Sequence, residues 1–182
     1  MFPSYTENPS NVCFEGQDPD ETILLLLRAH PITNLSWIIP AVIIFFIPFL
    51  TPPILNNLGF GGILNLPATY ISAALVINYL LVLVITFEGF LYWYFNVYIV
   101  TSKNIVDIDF HSILFKNIDL APLKNVEDTS SNMGGILKAI FNYGHVIVQT
   151  AGASENIDFA NVPNPHKVSD FILDRVHIAG GH

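Results

Sequence analysis

Two runs of sequence decide how this chain is built: Ser36-Trp37-Ile38-Ile39-Pro40-Ala41-Val42-Ile43-Ile44-Phe45-Phe46-Ile47-Pro48-Phe49-Leu50 and Ala74-Leu75-Val76-Ile77-Asn78-Tyr79-Leu80-Leu81-Val82-Leu83-Val84-Ile85-Thr86-Phe87. Both lie in a stretch, Ala29 to Phe87, that contains no Asp, Glu, Lys or Arg. That stretch is about three times the ~20 apolar residues one helical bilayer crossing requires. A core helix of a water-soluble protein keeps charges on its wet face, and neither run has any. A two-helix transmembrane hairpin is therefore expected, with spans at about 35–50 and 68–91.

Within the first span, Pro40 and Pro48 each delete a helix hydrogen bond, so kinks are expected where neighbours re-satisfy the freed carbonyls. Trp37 suits the headgroup region at one end. The connection, 51–67, mixes turn residues with Ile54, Leu55, Leu58, Phe60, Ile63 and Leu64, which points to an interfacial loop rather than a solvated one. In the second span Asn78 sits at mid-depth, where an amide must find a partner, either on the other helix or in an oligomer. Ala68 and Ser72 form a small-xxx-small pair, a second possible helix–helix contact. After Glu88 come Tyr92, Trp93 and Tyr94, an aromatic belt that would anchor the chain at the membrane interface.

Everything else follows from what flanks the hairpin. Of 182 residues, 52% are hydrophobic and 12% charged, and the net charge is −8. No basic patch exists, which argues against nucleic-acid binding. Cys13 is the only cysteine, excluding an internal disulfide and a thiolate metal site, and the histidines lack ligand spacing. Residues 1–20, with Pro3, Pro9 and Pro19, read as an extended tail without the basic start of a cleavable signal. At 21–30 a pre-membrane helix is expected, capped by Asp20 with Glu21 in its first turn. A strand competes, because Ile23-Leu24-Leu25-Leu26-Leu27 has no clean helical period. All seven Lys and Arg lie outside the hairpin, which by the positive-inside rule puts both termini in the cytoplasm of a plasma-membrane protein.

From Tyr92 the period becomes two. In Asn104-Ile105-Val106-Asp107-Ile108-Asp109-Phe110, Val106, Ile108 and Phe110 share one face, and Asp107 and Asp109 are expected on a solvated face. Residues 144–150 and 156–160 are further strands. Turns are expected at Ser102-Lys103, His111-Ser112 and Ala151 to Ser154, and a polar turn at Glu127-Asp128 and Ser130-Ser131. Short strands without crossover helices imply an antiparallel sheet or barrel. Asn164 and Pro165 then start an amphipathic helix with Val168, Phe171, Ile172 and Val176 on its apolar stripe. The expected architecture is an α+β membrane protein: tail 1–20, pre-membrane segment and hairpin 21–91, and a β domain at 92–178 closed by the C-terminal helix.

One order of segments resembles a known family. Glu21 to His30, two spans, Val97-Tyr98-Ile99-Val100-Thr101, Phe141-Asn142-Tyr143-Gly144-His145-Val146 and Val162-Pro163-Asn164-Pro165 are similar to bacterial pleckstrin-homology-like (PH-like) membrane proteins of the YdbS type. The resemblance implies a PH-like antiparallel β-barrel or sandwich capped by the last helix. The chain departs from it at Thr101-Ser102-Lys103-Asn104, where relatives carry Arg soon after the Thr. Eukaryotic PH domains grip phosphoinositides with several basic residues in that loop; here Lys103 stands alone as a weak headgroup candidate. With no catalytic, metal or cofactor motif, the expected function is a non-catalytic scaffold or interaction module at the cytoplasmic face of the bilayer, with a protein partner or a homo-oligomer. The alternatives are a lipid-binding PH-like domain, or a subunit of an oligomeric channel or transporter.

Overall fold

The computed structural model of the chain describes residues 3–10, 12–62, 66–112, 115–151 and 156–180. The chain forms two compact units, Met1–Thr33 with Tyr92–His182, and Asn34–Leu91.

The first unit is α+β. Five strands, β1 (Tyr5–Glu7), β2 (Ile23–Leu27), β3 (Val97–Thr101), β4 (Asn104–Ser112) and β5 (Phe115–Pro122), form one antiparallel sheet in sequence order. A second antiparallel sheet holds β6 (Val126–Asn132), β7 (Tyr143–Thr150) and β8 (Ile157–Pro163). Among the described residues no strand pairs across the two sheets, so they make a sandwich and not the closed barrel that the resemblance left open.

The pre-membrane helix expected at 21–30 is instead strand β2. Its five aliphatics alternate between two apolar environments, which a strand flanked on both sides satisfies and a surface helix does not. Leu25 and Leu27, opposite Val100 and Tyr98, enter the core between the sheets; Leu26, opposite Ile99, lies on the outer face. The compact unit thus takes in strands on both sides of the long helices, where the sequence predicts a domain beginning at 92.

Glu127-Asp128 and Ser130-Ser131, expected as a polar turn, lie within strand β6. Its side chains Val126 and Thr129 are buried while Glu127, Asp128 and Ser130 stay exposed; the spacing of three, rather than two, follows from a register shift between Val126 and Asp128. Thr129 Oγ1 lies 2.8 Å from Ser169 Oγ on the last helix, α4 (Pro165–Gly180), tying strand to helix. Val168 and Ile172 are fully buried in the same core as Leu25 and Phe159, so the apolar stripe does cover the sheet. Asn164 precedes the helix in the left-handed region (φ 49°), and its Oδ1 accepts from Asn142 Nδ2 at 2.6 Å.

Gly144 has a geometric reason. A Cβ there would collide with the Asn132 carbonyl oxygen, so β6 and β7 can approach only over a glycine. Between those strands sits a six-residue helix, α3 (Ile136–Phe141).

The second unit holds two long apolar helices, α1 (Leu35–Asn57) and α2 (Ala68–Phe95), whose last residues continue into the first unit. Where a loop is expected from residue 51, α1 runs on to Asn57 through Pro52 and Pro53. Thr51 Oγ1 donates back to the Ile47 carbonyl at 2.6 Å, a local side-chain bond just before the two prolines. Trp37 packs where a Cβ on Gly89 would strike its ring, and Phe45 meets Tyr79 with centroids 5.5 Å apart. Those contacts run in opposite chain directions. Apart from Ala41, their side chains are not buried, including Ile43, Phe49, Val76 and Leu83. Residues Ile63 to Asn65 of the connection and Gly152 to Ser154 of the predicted turn lie outside the described residues.

Candidate functional site

Three features of the β unit bear on what it can bind. The first is the turn between β3 and β4. It is built on Glu21, a buried carboxylate that accepts from Thr101 Oγ1, from Asn104 Nδ2 at 2.8 Å and from the Asp18 backbone N–H at 3.2 Å. Burying an anion is tolerable when several donors converge on it, and here they do. Thr101 Oγ1 in turn accepts the N–H groups of Asn104 (2.8 Å) and Lys103 (3.1 Å), which folds the turn over it. Lys103 Nζ lies 2.7 Å from Asp20 and 3.2 Å from Asp18. Its hydrogen bonds to these carboxylates hold its ammonium above the usual lysine range and Asp20 below the usual carboxylate range. The charge of Lys103 is already met from within the chain.

The second feature lies on the inner face of the five-stranded sheet. Asp107, expected in solvent, is 6% exposed. It stands opposite Tyr98 on β3 and Asp119 on β5, with Asp109 two residues along β4. Burial, then the neighbouring charges of Asp109, Asp119 and Asp158, push its carboxyl up to about 8. Its Oδ1 is buried and has no hydrogen-bond partner among the described residues. Burial and the nearby Asp107 also push the Tyr98 hydroxyl upward; that hydroxyl accepts the Ala160 N–H at 3.1 Å, joining the sheets. Asp158 pairs with His145 Nδ1 at 3.2 Å. Among the described residues no three His, Cys, Asp or Glu converge to hold a metal ion.

The third is the outer face of the same sheet. Ile23, Ile99 and Val106 form a second apolar cluster there, with Phe14 of the N-terminal tail, Val97 and Ile108 packed on it. A sheet with apolar residues on both faces needs cover on both. The cover stops short of β5: Leu120 and Ile118, opposite Val106 and Ile108, are exposed. Among the described residues β5 pairs with β4 alone, which makes it an edge strand of its sheet.

The residues singled out in the sequence fall in separate places. Trp37 Nε1 donates to Asn34 Oδ1 at 3.1 Å and Trp93 Nε1 to the Ala29 carbonyl at 2.8 Å, so both indole N–H groups are used within the chain. Tyr92 is exposed, and the Arg28 guanidinium sits 5.0 Å above the Tyr94 ring. Ser72 donates to Thr69 of its own helix at 3.0 Å. Asn78 Nδ2 is buried without an acceptor among the described residues. Sequence reasoning missed the role of Glu21 and the exposed edge at Ile118 and Leu120. A lone Glu before an aliphatic run carries no signal of burial. Its side-chain donors, Thr101 and Asn104, lie about eighty residues away in sequence, so no local signal was available.

A family model described as bacterial PH domain matches residues 24–176. No curated protein and no solved structure matches the chain.

Proposed function

The chain belongs to the bacterial PH domain family, whose PH-like domains are generally non-enzymatic, and from that premise we propose a non-catalytic interaction module that a two-helix hairpin anchors in a membrane, with both termini cytoplasmic. Two helices long and apolar enough to cross a bilayer support the anchor, and so does the exposure of their side chains. Such surface is stable in hydrocarbon and unstable in water. The distribution of Lys and Arg outside the helices supports the topology.

One observation carries the binding reading: the β5 edge, which no other strand pairs with among the described residues, with Ile118 and Leu120 exposed beside a covered apolar cluster. An extended segment of a protein partner can add to that edge through backbone hydrogen bonds and fill the strip between these two side chains. The reading of Lys103 as a lipid-headgroup ligand loses support, because two aspartates already hold its ammonium.

The test is a photoreactive phenylalanine at position 120 in native membranes. A discrete crosslinked adduct, reduced several-fold by Ile118→Asp, is expected. An adduct of twice the chain mass would assign the edge to a second copy. Equal labelling with and without Ile118→Asp would sink the edge reading.

A further inference from the structure

Helix α3 is the least buried apolar element of the β unit. Ile136 is 79% exposed, Leu137 63%, Ile140 68% and Phe141 43%. Four large apolar side chains in six residues fall on one face of about 140° at 3.6 residues per turn, and that face is exposed while Lys138, on the other side, is half-buried. An apolar helix face normally turns towards a core or another apolar phase, and this one turns away from the sheets. Patches of this kind on a soluble surface mark a contact with another apolar phase.

Charge narrows what that phase is. The chain has net charge −8, yet from Thr129 to Ser154 the sequence contains no Asp or Glu and carries Lys138 and His145. It is the longest carboxylate-free run of the β unit, and α3 with Lys138 lies inside it. An apolar face flanked by a cation complements a bilayer surface, which offers acyl chains below and anionic phosphates above. The Lys138 stem can lie along apolar surface while its ammonium reaches the phosphates. Gly134 and Gly135 precede the helix, Gly135 at φ 101°, and set its start apart from strand β6.

We infer that α3 is a bilayer-dipping element that inserts Ile136, Leu137, Ile140 and Phe141 at the headgroup–acyl boundary of an anionic phospholipid membrane. The inference rests on the anchored reading above, since a tether that holds the unit at a membrane raises the local concentration of lipid. It gives the β unit a second point of membrane contact, independent of the β5 edge.

The experiment uses the full chain with Cys13→Ser, since Cys13 is exposed. An environment-sensitive fluorophore is placed through Ile140→Cys and, as a control on an exposed residue elsewhere, Lys124→Cys. Both are reconstituted in phosphatidylcholine–phosphatidylglycerol vesicles with lipids spin-labelled near the headgroup. Emission at position 140 should be blue-shifted and quenched roughly threefold or more above position 124, the signature of a group at the interface. Lys138→Glu should cut that quenching several-fold. If the protein floats with the vesicles but the two positions are quenched alike, the inference about α3 is overturned and the anchor stands. A label at 140 that is shielded yet not quenched by the lipid probes places a protein or a second copy on α3, and overturns it too. Protein that does not float with the vesicles overturns the anchor, and the inference with it.

Discussion

At the scale of single residues, Asp107 shows how a local pattern can be right and its environment wrong. Alternation correctly separates Val106 and Ile108 from Asp107 and Asp109, but it cannot say which face meets the second sheet. That is decided by contacts with strands distant in sequence, and they put Asp107 on the inner face beside Tyr98. The consequence is measurable. The folded chain holds the Asp107 proton up to about pH 8, whereas the unfolded chain releases it near its ordinary value of 3.8. Between those values the native state binds more protons, so stability from this group is full at low pH and is lost as pH rises through about 8. Asp107→Asn should therefore flatten the fall in unfolding midpoint between about pH 5 and 8.5. Trp93 fluorescence in a Trp37→Phe background follows the β unit in detergent. A variant that keeps the full slope would show that Asp107 is ionised in the folded chain.

Elements were legible where the pattern was local. Strand β4, strand β7 and helix α4 all carry their period and their punctuation in the sequence, down to Pro165 as first helical residue. Strand β2 did not, because five aliphatics in a row fit a strand apolar on both faces as well as a buried helix turn. Strand β6 was hidden by composition: six of its seven residues are Asp, Glu, Ser, Thr or Asn, and only its pairing to β7 makes it a strand. In α1, Pro52 and Pro53 look like a stop signal, yet the helix continues past them to Asn57. The strand assignment of β2 has an energetic test. Leu27 is fully buried against Tyr98 and Tyr5, so Leu27→Ala should destabilise the β unit by about 2–5 kcal/mol. A residue on an exposed pre-membrane helix would cost a few tenths. Denaturant unfolding in detergent distinguishes the two outcomes.

At the scale of the whole molecule, the chain leaves the β unit after β2, builds two apolar helices, and returns at β3 to pair with the strand it left. No windowed reading of the sequence finds this, because the sheet is closed by residues about seventy positions apart, and such pairing follows from register rather than local period. The family match beginning at residue 24 agrees with it, since the matched region starts inside β2. The piece after the helices is one part of a compact unit that also takes in Met1–Thr33. A fragment of residues 92–182 lacks β1 and β2, and with them Leu25 and Leu27, so the inner core would face water along one edge of β3. That fragment should be unfolded or aggregated. Residues 1–30 joined directly to 92–182 by a short Gly/Ser linker should fold, because the Ala29 carbonyl already meets the Trp93 indole at 2.8 Å and little chain is needed to bridge them. Amide chemical-shift dispersion separates the two fragments. A well-dispersed spectrum from 92–182 alone would mean that strand β2 is dispensable, and that the helices interrupt nothing the fold requires.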